Sequence, residues 1–212
     1  MTISEFWHQL VTDLTHTSLL EFIAVIAGIA SVWLSRIENI WVYPTGLVNT
    51  IIYIYLSFKS SLLGEASVNF YYTVVSIYGW VLWARRNDRQ EPILKIMGSS
   101  GREWAQQIGL SALFYVILFF GLRYFRENGL APQAIPWADA FASATAYMGM
   151  WLMAKKKVES WYWWIATNLA SIPLYFVKHY VFTSVYYVIL LIMAVSGLVE
   201  WRRRAKTVHH AA

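Results

Sequence analysis

Charge is nearly absent from seven long stretches of this chain, and that absence restricts the fold more than any single motif. Residues 19–35, 40–56, 68–83, 108–122, 137–154, 161–177 and 181–200 together hold only three charged side chains, Glu21, Asp139 and Glu200. A helix needs roughly 20 mostly apolar residues, with about 17 as the lower limit, to cross the hydrocarbon of a bilayer. Seven such segments fit, the shorter ones with help from their flanks. The chain is 58% hydrophobic and only 14% charged, whereas a soluble domain carries about a quarter of its residues as charges. The reading is an all-α polytopic membrane protein with seven transmembrane helices, solvated by a lipid bilayer.

The excess of basic residues does not point to nucleic acid, because of where those residues lie. With alternating sides assigned, Arg36, Arg85, Arg86, Arg89, Lys95, Arg102, Lys155, Lys156, Lys157, Arg202, Arg203, Arg204 and Lys206 fall together. Only Lys59, Arg123, Arg126 and Lys178 fall on the other side. The positive-inside rule makes the first set cytoplasmic, with the amino terminus outside and the carboxyl terminus inside. Trp33, Trp83, Trp151 and Trp201 sit at the same ends, as an interfacial aromatic belt predicts. The first 18 residues contain no Lys or Arg, so they lack a signal peptide's basic region. Cysteine is absent, which excludes a disulfide framework and a thiolate metal site, and no cofactor or metal is expected.

An internal repeat emerges when the sequence is laid over itself at an offset of 118 residues. Glu21 then meets Asp139, Trp33 and Leu34 meet Trp151 and Leu152, Gly79 meets Gly197, Trp83 meets Trp201, and Arg85 and Arg86 meet Arg203 and Arg204. With a one-residue slip Asn49 meets Asn168. Apolar matches are common by chance in membrane proteins, so the rare residues carry the argument. The offset spans an even number of helices, so the copies run in the same direction. The expected plan is three helices in residues 1–86, a connector and linking fourth helix in 87–135, and three more helices in 136–212, forming one transport domain. The linking helix is needed because an odd-numbered repeat requires one extra crossing before a parallel copy can follow. Transporters with parallel repeats bind their substrates near the midplane between the halves. Residues 87–103, polar and containing Pro92, Gly98 and Gly101, read as a connector.

Three helices carry polar and aromatic stripes within this apolar setting. Trp161, Trp164 and Asn168 are spaced i, i+3, i+7 and fall within about 60° of one another, with Trp163 pointing away. Asn69, Tyr72 and Ser76 repeat the spacing, and Thr45, Asn49 and Tyr53 follow at steps of four. Side-chain amides are unfavourable in hydrocarbon without partners, so these stripes should face the bundle interior. Indoles with amides and hydroxyls, and no basic residue at that depth, suit a flat cationic ring bearing hydroxyls. They suit a phosphate ester poorly. Simpler readings stand beside this one. The interfacial belt alone accounts for Trp161 and Trp163, solvation for Asn69, and helix–helix hydrogen bonding for Asn49. Glu21 and Asp139 read as wetted carboxylates near helix ends before they read as a proton relay. Pro173 should free a carbonyl near Asn168.

These motifs together resemble the PnuC family of bacterial vitamin transporters. WxxWxxxN (Trp161, Trp164, Asn168), between Glu159 and Pro173, is similar to that family's signature. SIYGWVLW (Ser76 to Trp83) and TGLVN (Thr45 to Asn49) resemble its third-helix and second-helix motifs, and the likeness runs from about Glu21 to Arg204. It implies a full-length version of the SWEET sugar-transporter plan. It also implies facilitated diffusion of nicotinamide riboside across the inner membrane, with trapping by a cytoplasmic kinase. Thiamine is the alternative cargo, and riboflavin is carried by other relatives. The resemblance implies substrate contact by Trp161, Trp164 and Asn168, with Asn49 beside them. Asn69 stands where riboside carriers often have glutamine, and Ser196 where some have asparagine.

Two other classes fit less well. A proton- or sodium-coupled pump needs carboxylates deep in the bundle, and only Glu21 and Asp139, near helix ends, are offered. An enzyme, or ATP hydrolysis, needs a motif such as HExxH, GxSxG or a P-loop, and none occurs. The sequence is compatible with a homo-oligomer.

Overall fold

The chain is described by a computed structural model over residues 3–59 and 63–210. Eight helices account for nearly all of it: α1 (Ile3–His16), α2 (Leu19–Arg36), α3 (Val42–Lys59), α4 (Leu63–Ala84), α5 (Gly101–Glu127), α6 (Pro136–Ala154), α7 (Ser160–Val177) and α8 (Val181–His210). The protein is all-helical. Helices α2 to α8 coincide with the seven apolar stretches. Leu19–Arg36, Gly101–Glu127 and Val181–Thr207 are each long and apolar enough to cross a membrane by themselves. Large apolar side chains such as Ile26, Ile51, Ile117 and Val199 point outward and are exposed, as a lipid-facing surface requires.

Three features depart from the sequence reading, each for a local reason. Helix α1 is additional. Its 14 residues, with Glu5 and Asp13 among them, are too few and too polar to register as a crossing. It is pinned to the start of α8, where the Phe182 backbone N–H donates to Asp13 Oδ2 at 3.1 Å. Helix α5 begins at Gly101, ahead of the apolar stretch at residues 108–122, because Ser100 and Glu103 form a capping box that satisfies two orphan N–H groups. Helix α8 runs on past Glu200, where that carboxylate pairs with Arg203 and Arg204 at i+3 and i+4.

The offset of 118 residues reappears in space. Helices α3 and α7 start 118 residues apart, as do α4 and α8. Helix α4 packs on α6, and α2 packs on α8. At the basic end several residues meet their own counterparts. Ser35 Oγ lies 2.8 Å from Met153 Sδ, Lys156 Nζ lies 2.5 Å from Glu38 Oε1, and the Trp83 and Trp201 rings lie 6.2 Å apart. The indoles also exchange hydrogen bonds: Trp83 Nε1 donates to the Ala154 carbonyl at 3.2 Å, and Trp201 Nε1 to the Arg36 carbonyl at 3.2 Å. Helices α2 and α6 end in matched Schellman caps. Asn39 N donates to Leu34 O and Lys157 N to Leu152 O. The left-handed residues these caps need are Glu38 (φ 63°) and Lys156 (φ 52°), each a non-glycine in a conformation L residues seldom adopt. Their side chains form the ion pair just described, and Arg204 adds to it at 3.3 Å.

The densest core therefore sits at this end, built from Val42, Tyr43, Trp83, Met153, Trp161 and Trp201. The connector is docked onto it. Ile96 is buried in the same cluster, and Met97 bridges to Lys157.

Candidate functional site

Helix α7 carries the densest set of expected site residues, and its start is braced. Glu159 is buried and accepts from Ser99 Oγ at 2.8 Å. Gln107 Nε2 donates to the same Ser99 oxygen at 2.8 Å and its Oε1 accepts from Trp163 Nε1 at 3.1 Å. Trp163 therefore points to α5, away from the bundle interior. Sequence reasoning missed Ser99 and Gln107. The capping box at Ser100 was the available sign that α5 begins beside α7.

The inward stripe of α7 then climbs from the basic end toward the middle of the bundle. Trp161 is 1% exposed, with its ring edge-on to Trp201 at 5.5 Å and pressed against Gly197, where a Cβ would lie 2.5 Å away. Its Nε1 has no hydrogen-bond partner. In this conformation Trp161 is core, one turn below the remaining site residues. Trp164 is half-buried. It lies flat enough on α6 that a Cβ on Gly149 would sit 3.1 Å from the indole, and its other side meets Tyr72 of α4 at 6.0 Å. This contact joins the first helix trio to the second.

Asn168, one turn further, is the least ordinary residue here. It is 3% exposed, and among the described residues its side-chain amide makes no hydrogen bond. Its neighbour Thr167 is committed, its Oγ1 lying 2.9 Å from both Thr145 Oγ1 and the Trp163 carbonyl. The Asn168 amide is the group positioned to accept or donate toward a ligand.

The remaining expected residues divide. Tyr72 is half-buried at the Trp164 corner, and Ser76, one turn below it on α4, is 2% exposed. Asn49 Nδ2 donates to the Ala24 carbonyl at 2.7 Å, tying α3 to α2 as helix–helix glue, which leaves its carbonyl oxygen as the group available to a ligand. Gly28 permits this approach: a Cβ there would collide with Asn49 Nδ2 and Tyr186 Oη. Asn69 Nδ2 bonds back to Glu65 O on its own helix at 2.9 Å. The structure thus brings Trp164, Tyr72 and Asn168 toward one region, holds Trp161 beneath them, and keeps Asn49 and Asn69 tied to backbone.

No Lys or Arg occurs in the interior of α2, α3, α4, α6 or α7, so the central region offers no positive charge to a ligand. Carboxylates gather at the end opposite the basic cluster. Asp139 Oδ1 pairs with Lys178 at 2.6 Å while its Oδ2 accepts from the Ile135 N–H at 2.6 Å. Two cavities open at that end. One, about 390 Å³, is lined by Phe119, Arg123, Arg126, Glu127, Pro136 and Trp137. The other, about 170 Å³, is lined by Asp13, Thr17, Glu21, Tyr180, Phe182 and Thr183. Neither includes Trp164 or Asn168.

A helical bundle with an apolar exterior, three of its helices long and apolar enough to cross a bilayer, defines a membrane protein. Residues 18–203 match the family model described as nicotinamide mononucleotide transporter, and the chain belongs to that family. It is similar to the nicotinamide riboside transporter PnuC of Escherichia coli (strain K12), with 26% identity over 89% of this chain and 87% of that protein. It is also similar to the riboflavin/roseoflavin transporter RibM of Streptomyces davaonensis, with 22% identity over 88% of this chain and 85% of the relative. In fold it matches a crystal structure of the vitamin B3 transporter PnuC, with a TM-score of 0.74 over 95% of this chain and 88% of that one, at 22% identity.

Proposed function

We propose that this protein imports nicotinamide riboside across the bacterial inner membrane by facilitated diffusion with alternating access. The observation that carries this reading is the buried, uncommitted Asn168 amide one turn from Trp164, in a bundle centre without a basic residue. A cationic pyridinium gains about 0.5–2 kcal/mol against an indole face, more when water is excluded. A ribose hydroxyl supplies the hydrogen bond that Asn168 lacks. The mononucleotide in the family's description carries a phosphate, and the centre has no Lys or Arg to pair with it, which favours the riboside. Asn49, Asn69, Tyr72, Ser76 and Trp161 complete the proposed binding set. A cytoplasmic kinase then traps the cargo.

In this reading α2 to α8 are seven crossings arranged as a 3+1+3 parallel repeat, SWEET-like, about an axis along the membrane normal. The first repeat lies in residues 1–86, the linker in 87–135 and the second repeat in 136–212. The basic end faces the cytoplasm, with the amino terminus outside. The counterpart contacts at Ser35–Met153, Glu38–Lys156 and Trp83–Trp201 support the arrangement and close the cytoplasmic side in this conformation. Ion coupling is disfavoured because Asp139 is already neutralised by Lys178. Glu21 and Asp13, around the 170 Å³ cavity, suit a role in attracting a cation to the outer mouth.

Thiamine, also a permanently cationic ring with a hydroxyl, is the second reading on the same residues. Side-by-side calorimetric titration of the purified protein with nicotinamide riboside, thiamine and riboflavin decides between them. Uptake into proteoliposomes that equilibrates without a proton or sodium gradient supports facilitated diffusion, whereas concentrative uptake driven by a gradient overturns it.

A further inference from the structure

The middle helices of the two trios can be compared position by position. The inward stripe of α3 runs Tyr43, Gly46, Thr50, Tyr53, and that of α7 runs Trp161, Trp164, Asn168, Ser171, each pair 118 residues apart. The residues behind them match as well, since Ser31 and Gly149 are 118 apart. In the second trio a large ring, Trp164, lies on a small residue, Gly149. In the first trio both members are small, Gly46 and Ser31, and an indole's volume is missing.

Some space remains beside Gly46, which is only partly buried, although a Cβ there would sit tightly on Ser31. A Cβ at Gly46 would meet only Ser31, Oγ at 3.1 Å and Cβ at 3.9 Å, with no other neighbour within 4 Å. A Cβ at Gly79, on the facing helix, would strike the Tyr43 ring at 2.7 Å or less. Ser31 Oγ is occupied elsewhere, donating to the Val42 carbonyl at 3.0 Å. Gly46 is half-exposed although Tyr43 and Thr50, on the same stripe, are 2% and 4% exposed. A glycine inside a helix is less favourable than alanine, so its presence here asks for a reason other than helix formation. The opening also adjoins the site. One turn above Gly46, Thr50 accepts from Thr73 Oγ1 at 2.9 Å, and Thr73 is next in sequence to Tyr72, whose ring meets Trp164.

The polar partners differ in the same sense. Thr50 is satisfied by Thr73 and by the Leu47 carbonyl at 3.3 Å, while its counterpart Asn168 is buried with no bond. We infer that the flat ring of the ligand fills the space left open at Gly46, with Trp164 as its aromatic wall and Asn168 as its free polar partner. Gly46 is then a specificity-determining residue, because it sets the size of ring the bundle admits. This rests on the binding reading proposed above.

Calorimetric titration of wild type, Gly46→Ala, Gly46→Val and Gly109→Val with nicotinamide riboside, thiamine and riboflavin tests it. Gly109 lies on the exposed face of α5, where an added Cβ meets nothing within 4 Å. Each methyl-sized step at Gly46 should weaken the ligand that the wild type binds by about ten-fold, with Gly109→Val unchanged. A well-folded Gly46→Val protein with wild-type affinity overturns the inference. If that variant does not elute as a single species, Gly46→Ala decides: about ten-fold loss supports the slot, and unchanged affinity removes it. A wild type that binds none of the three ligands brings down the functional reading itself. A binding wild type with indifferent Gly46 variants removes only this inference.

Discussion

Helices α3 and α7 start 118 residues apart and pack against equivalent neighbours, yet their central residues behave differently. On α3 two central polar side chains are spent on structure: Asn49 holds α2, and Thr50 holds Thr73. On α7 Asn168 is held in reserve and Trp164 presents a face to the other trio. At the basic end the same two trios remain nearly matched, down to reciprocal indole hydrogen bonds and twin left-handed caps. On the proposed repeat, the two halves match where they would close on each other and differ where the proposed ligand would sit.

Substitutions that erase this division should have graded effects. Trp164→Ala removes the aromatic wall and should weaken ligand binding about 100-fold, read by calorimetry, with membrane insertion unchanged. Wild-type affinity would return Trp164 to a packing role. Asn168→Thr copies the first trio's residue into the second and should cost about ten-fold in affinity, because one hydrogen bond to the ligand is lost. The reciprocal change Thr50→Asn should lower thermal stability and spare affinity, so a binding defect there would contradict the asymmetry.

The symmetric end should respond in stability instead. Lys156→Gln leaves the Glu38 carboxylate with only Arg204 and should destabilise by about 1–3 kcal/mol, seen as a lower thermal midpoint. A Glu38→Gln variant that leaves the thermal midpoint unchanged would show that the pair is not what joins the halves. Smallest is Asn49→Ala, which should cost about 1 kcal/mol of stability through the Ala24 bond, seen as a lower thermal midpoint.

Much of this was legible in the sequence because membranes make rare residues conspicuous. The tryptophans Trp83 and Trp201 suggested a repeat in the sequence, and in the structure their rings lie against each other. Glu38 and Lys156 stayed hidden, since a search for identity passes over counterparts of opposite charge. Helix α1 escaped because hydropathy reports crossings and says little about a short polar helix. The stripe on α7 was readable from its spacing, but the differing fates of its members were not. Spacing places Trp161 and Trp164 on one face. Only the packing of Gly197 and Gly149 decides that the first is sealed and the second is half-open.

The exchanged indole bonds at the basic end carry a kinetic consequence. Each trio covers a carbonyl at a helix terminus of the other, Ala154 on one side and Arg36 on the other. In the proposed alternating-access cycle, separation of the halves at that end would uncover both termini at once, and their hydration would then throttle how often the carrier turns over.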